Sequence, residues 1–148
     1  RIALINHDLS YKYARLRERG YKSVIHLRDL DYQAVEYASE LSSGAGMAAM
    51  QNLLKTNPPD AVFAVSDTLA AGALRAIQQA GLRVPEDIAV VGFDGTELAE
   101  MISLTTIEQP SRDIGRKAVD LLLNKIDNPD APTERVMMDW RFISRAST

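Results

Sequence analysis

The sequence contains no cysteine, which removes thiolate zinc sites, iron–sulfur clusters and cysteine nucleophiles from consideration. Its two histidines, His7 and His26, lie far apart in the chain and offer no metal-ligand cluster. Aromatic residues make up only 6%. No apolar run approaches the ~20 residues that span a bilayer, the longest being stretches such as Ala61 to Val65 and Ile88 to Val91. A basic excess is also missing. The 17 Lys and Arg face 20 Asp and Glu, a formal charge of −3, whereas proteins that bind nucleic acid unaided usually carry a basic field to replace phosphate counterions. There is no GxxxxGK[ST] phosphate loop, no GxSxG elbow and no HExxH pair.

What is present is 148 residues, 46% of them hydrophobic. A single domain of this size buries roughly 70% of its unfolded surface and needs neither disulfide nor structural metal. The opening RIALI has no initiator methionine and no signal-peptide architecture; it reads as a strand already under way, so we expect a piece of a longer protein.

Short β-branched runs alternate with longer helical patterns, which predicts a parallel sheet covered by helices. Ile2 to Ile5 is the first strand. From Ser10, a predicted N-cap, helical spacing runs through Tyr13, Leu16, Gly20, Val24 and Leu27, in preference to a break at Gly20 followed by a strand over Ser23 to Leu27. Val35 and Tyr37 mark a second strand. Ser42 or Ser43 caps a helix to about Lys55, which Asn57-Pro58-Pro59 stops. Ala61 to Val65 is a buried strand, followed by a Ser66-Asp67 cap and a helix ending at Gly81. Ile88 to Gly92 is a fourth strand, Thr96 to Ile102 a short helix and Leu104 to Ile107 a fifth strand. Ser111 to Lys125 reads as an amphipathic helix, with apolar positions at Ile114, Ala118, Leu121, Leu122 and Ile126. A turn-rich loop over Asp127 to Pro132 leads to a last extended segment, Val136 to Ile143, which carries the lone Trp140. There is no internal repeat.

In open parallel sheets, ligands bind outside the carboxyl ends of the strands. By position alone this selects Asn6, His7 and Asp8 after the first strand, Glu40 and Leu41 after the second, Ser66 and Asp67 after the third, Asp94 after the fourth and Gln109 after the fifth. Capping and turn formation are the competing roles for Asp67 and Asp94. Gly44 to Ala49 matches the loose GxGxxA form of a dinucleotide loop, but no strand runs into it and no acid follows at the required distance, so we read it as a helix start. His7 lacks a neighbour that would orient it as a general base. A magnesium site built from Asp8, Asp67 and Asp94 would need a lysine near a late strand end, and Thr105 to Gln109 supplies none.

Four strings carry a resemblance: DAVFAVSDTLAAGAL (residues 60–74), GLRVPEDIAVVGFD (81–94), LTTIEQP (104–110) and ISRAST (143–148). In order and spacing they resemble the ligand-sensing region of the LacI/GalR family of bacterial transcription regulators, over essentially the whole chain. The resemblance implies a doubly wound, Rossmann-like α/β fold, a three-layer αβα lobe of the periplasmic binding protein-like type I class. It implies a non-enzymatic sensor without cofactor or metal, cytoplasmic and homodimeric, that binds a small sugar or purine-like effector. Contact with operator DNA would pass only through an N-terminal helix-turn-helix domain outside this chain. Residues 1–106 would form the second lobe of the effector domain, 107–132 a crossover and helix belonging to the first lobe, and 133–148 the return strand. A periplasmic sugar-binding protein of a transport system is the alternative.

By the same resemblance, Arg17, in an Arg-x-x-Gly-Tyr string, looks like the arginine that binds effector hydroxyl or carboxylate groups, and Asp94 like the ligand carboxylate. Ser66 stands where the family often has Asn, and Leu41 where many members place a stacking aromatic. His7, Asp8 and Gln109 are rim or hinge contacts. Gly95 offers no side chain where Asn or Asp is common.

Overall fold

The computed structural model describes residues 1–148. The apolar runs form β1 (Ile2–Asn6), β2 (Ala34–Tyr37), β3 (Ala61–Ala64), β4 (Ala89–Asp94) and β5 (Thr105–Glu108), with a short β6 (Arg141–Ile143) near the end of the chain. They make one six-stranded sheet in the order β2-β1-β3-β4-β5-β6. Every pairing is parallel except β5–β6, which is antiparallel. The expected parallel sheet therefore holds for five strands, and the last extended segment joins its edge in the opposite sense.

Between the strands run α1 (Lys12–Leu27), α2 (Ser43–Thr56), α3 (Asp67–Gln79), α4 (Glu97–Met101) and α5 (Ser111–Asp127). Three of these begin on a side-chain cap that satisfies an otherwise orphaned amide. Ser42 Oγ accepts from the Ala45 amide at 3.1 Å, Ser66 Oγ from Leu69 at 3.2 Å and Thr96 Oγ1 from Ala99 at 3.4 Å. Helix α1 runs unbroken through Gly20, so Ser23 to Leu27 is helix and not strand. Its start differs from expectation: Tyr11 holds the N-cap position without a side-chain bond. Ser10 instead donates its amide to Asp8 Oδ1 at 2.6 Å, closing a turn ahead of the helix.

Gly92 and Phe93 are successive residues of β4 and so point to opposite faces of the sheet. A Cβ on Gly92 would meet Asp67 and Ala70 of α3, whereas the Phe93 ring lies beneath Arg17 of α1. Helix α1 therefore covers one face, and α3, with α2 packed on it, covers the other. The two helices of that second layer touch backbone to backbone: a Cβ on Gly72 would stand 2.0 Å from the Ser43 carbonyl oxygen, and one on Gly46 2.3 Å from that of Leu69. Leu4, Ile5, Ile25, Met50, Leu53, Leu69, Ile77 and Leu104 fill the core between sheet and helices. The C-terminal tail is stitched in by the buried Ser147, whose Oγ donates to the Val90 carbonyl at 2.6 Å and accepts from the Thr105 amide at 2.8 Å.

Helix α5 stands apart from this body and buries no residue. Ile114, Val119, Leu122, Leu123 and Ile126 are exposed along it.

Gly72→Ala is expected to cost about 2–3 kcal/mol, because two backbones must part to admit one methyl group. Gly20→Ala, in the interior of α1 with no atom within 4 Å of the added carbon, should instead gain roughly 0.5–1 kcal/mol. Urea denaturation of both variants measures the difference.

Candidate ligand-binding site

The carboxyl ends of β1, β3, β4 and β5 meet at one rim of the sheet. Strand β4 ends there on Asp94, at φ +116°, and Gly95 follows at φ +72°. L side chains rarely occupy this region. A Cβ on Gly95 would also fall 2.5 Å from Cβ and Cγ of Glu108. The absent side chain at position 95 is thus a steric requirement of the turn that aims Asp94.

Arg17 arrives from the second turn of α1. Its Cζ lies 3.7 Å from the Phe93 ring centroid and 5.1 Å from that of Tyr13. Nη1 donates to the Val65 carbonyl at 2.5 Å, and Nη2 faces Asp94 Oδ1 at 3.4 Å. Gln109, the residue after β5, donates Nε2 to the same Oδ1 at 2.8 Å. Both protein donors converge on one carboxylate oxygen, and Oδ2 is left to the cleft. Burial lowers the Arg17 pKa against the opposing pull of Asp94, and burial raises the Asp94 pKa against the opposing pull of Arg17 and Gln109. Each ion is short of solvation. A ligand hydroxyl that accepts from Arg17 and donates to Asp94 would restore what burial removed. The cluster offers charged and amide groups suited to hydroxyls, and no three His, Asp or Glu side chains converge as a metal site.

Arg17, Asp94 and Gln109 are the expected residues that the structure brings together. Asp67 is corrected. It is wholly buried, its Oδ2 accepting from the Thr96 amide at 2.7 Å and from Thr96 Oγ1 at 2.8 Å, and its Oδ1 from Thr106 Oγ1 at 2.6 Å. It holds the β4–α4 turn to α3 and β5. Ser66 is also buried and gives its oxygen to the α3 cap. Leu41 is exposed in the turn that follows β2. Asp8 is exposed, and the hydrogen bond from the Ser10 amide holds its carboxyl below the usual range. His7 is nearly buried, with Nδ1 2.6 Å from Tyr13 Oη.

Tyr13 and Phe93 were missed as site residues. The signals for them were present: Tyr13 precedes Arg17 by one helical turn, and Phe93 adjoins Asp94.

The whole chain, residues 1–148, matches the model of the periplasmic binding protein-like domain. The ribose operon repressor of Escherichia coli (strain K12) is 37% identical over 152 aligned residues, covering 99% of this chain and 46% of that protein. A LacI family transcriptional regulator from Enterococcus faecium, solved with bound ribose, superimposes with a TM-score of 0.89 at 31% identity, covering 99% of this chain and 56% of that one. The chain belongs to the periplasmic binding protein-like domain family, in its LacI-type branch. Among LacI-type structures, the transcriptional regulator CelR in complex with cellobiose matches with a TM-score of 0.92 at 33% identity, over 100% of this chain and 46% of that one. The LacI-type chain described here spans about half the length of the curated relatives it matches.

Two substitutions separate scaffold from site. Asp67→Ala should destabilise the LacI-type chain by at least about 3 kcal/mol, since three buried donors lose their acceptor. Asp94→Asn should make it more stable at pH 7, because the raised pKa of Asp94 means that folding there costs the ionised form. That gain should shrink as pH falls through the raised value and vanish below the unfolded value near ~4. Thermal denaturation across pH 3 to 8 reads both effects.

Proposed function

We propose that this chain is the second lobe of the effector domain of a LacI-type transcriptional regulator, and that it reads the hydroxyl groups of a small sugar-class effector. The observation that carries this reading is the Arg17–Asp94–Gln109 cluster, with donors gathered on one oxygen of Asp94 and the other oxygen open. Relatives named for ribose and cellobiose support a sugar as the ligand. In this reading residues 1–106 form the lobe, residues 107–132 cross to a first lobe, and 133–148 return. The exposed apolar stripe of α5 supports that division, because an amphipathic helix with no buried residue lacks its partner surface.

The effector would close the cleft between the lobes and shift a cytoplasmic homodimer between states of different operator affinity, by as much as its own affinity differs between them. Operator contact would rest with a separate helix-turn-helix domain, and no covalent chemistry is involved. That the named relatives are repressors and regulators favours this reading over a transport binding protein.

A thermal-shift screen of the complete gene product against D-ribose, cellobiose, sugar phosphates, nucleosides and purines tests the proposal. A ligand at 100 times its Kd should add about 2.7 kcal/mol, and Asp94→Ala or Arg17→Ala should abolish the shift. Residues 1–148 alone should bind weakly or undetectably, since half the contacts are missing. A low-micromolar Kd for this chain by calorimetry would contradict the two-lobe reading, and no shift by any of these classes would overturn sugar sensing.

A further inference from the structure

The effector reading leaves one question of recognition open. Asp94, Arg17 and Gln109 supply charge and hydrogen bonds, but a sugar ring also presents a flat face of C–H bonds that water solvates poorly and that aromatic faces cover well. Leu41, exposed in the turn beyond β2, carries no π-face. The opposite wall, at the β1–α1 junction, is aromatic. There the His7 ring stacks on Tyr11 with centroids 4.8 Å apart, and Tyr13 lies 5.7 Å from Tyr11. Tyr13 is the member that reaches the polar cluster, with the Arg17 guanidinium carbon 5.1 Å from its centroid.

We propose that Tyr13 is the stacking surface of the effector site and a determinant of its specificity, selecting a sugar whose ring offers a flat apolar face to the phenol while its hydroxyls engage Asp94 and Arg17. The inference rests on the sugar-sensing reading above and deepens it. Tyr13 is suited to this work by being held in place. Its hydroxyl is hydrogen-bonded to His7 Nδ1 at 2.6 Å, and the rings of His7 and Tyr13 are nearly parallel, at 11°. His7 is itself fixed, because its amide donates to Asn6 Oδ1 at 2.8 Å while Asn6 Nδ2 donates to the buried Glu18 at 2.8 Å. On the far side of Arg17, Phe93 packs against the guanidinium at 3.7 Å, so the cation is bracketed by two rings and cannot swing away from Asp94 without losing both. The phenol thus reaches the ligand pre-ordered, and little side-chain entropy is spent on binding. His7 is a positioning residue in this scheme, acting only through Tyr13.

The test is calorimetry on the complete gene product with D-ribose and with cellobiose as probes, comparing the parent with Tyr13→Phe, Tyr13→Leu and Asp94→Ala. Tyr13→Phe keeps the face and loses the tether, and its Kd should stay within about threefold of the parent. Tyr13→Leu keeps apolar bulk and loses the face, and its Kd should rise by about tenfold or more with the ligand-free Tm unchanged. If Leu lowers the Tm, Tyr13→Met repeats the measurement with a flexible side chain of similar reach. A Tyr13→Leu protein that binds within twofold of the parent, while Asp94→Ala does not bind, overturns the role of Tyr13 and leaves sugar sensing standing. A parent that binds neither probe overturns this inference for ribose and cellobiose, and the wider screen above then decides whether sugar sensing itself stands.

Discussion

The buried carboxyl group of Asp67 is the constraint around which the strand-end rim of the sheet is organised. A carboxyl group wholly removed from water must be matched by donors or its burial is costly, and here the donors are the amide and hydroxyl of Thr96 and the hydroxyl of Thr106. Those partners lie on the β4–α4 turn and on β5, while Asp67 itself opens α3. One side chain therefore ties three elements together at the rim. It also explains Gly92, since any side chain there would enter the space of Asp67. Asp94 and Gly95, in left-handed backbone, sit between the strand and the residue that Asp67 holds. The strain of that turn is maintained because its far end is pinned.

What the pinned turn exposes is a pair of ions that the protein solvates incompletely. Arg17 and Asp94 are each pushed towards neutrality by burial and drawn back by the other's charge. Their separation of 3.4 Å is long for a charge-assisted bond, and Gln109 supplies the shorter contact. A fully closed ion pair would compete with a ligand for both partners. The loose one keeps an acceptor and a donor edge available, at a cost in stability that the packed α2–α3 layer and the apolar core absorb.

Much of this was legible in the chain itself. The five parallel strands follow from their β-branched runs, and the starts of α2, α3 and α4 from serine and threonine at positions where a helix needs a cap. Asp94 and Gln109 could be named because strand ends and family-like strings agreed on them, and Arg17 from its family-like string alone. Asp67 misled for a physical reason: a strand-end aspartate that caps, one that binds ligand and one that braces a turn look alike until the threonines that reach it are placed, and these lie 29 and 39 residues away. Tyr13 was hidden differently. Its spacing fits the apolar periodicity of α1, which says that a side chain faces inward but not whether it meets core or cleft. The sense of β6 was not legible either, because periodicity gives an extended segment no direction.

The attachment of α5 has a mechanical side. The excursion from Gln109 to Trp140 leaves the body on β5 and returns on β6, neighbouring strands joined through Glu108 and Arg141, whose backbones pair and whose side chains form an ion pair. A single linker would let such an arm spin and wander. Two attachments within one sheet remove that rotation, because turning the arm would shear the rungs between β5 and β6 and those between β5 and β4. One attachment leads through Gln109, which is hydrogen-bonded to Asp94, so the mount of the arm and the rim cluster share a side chain.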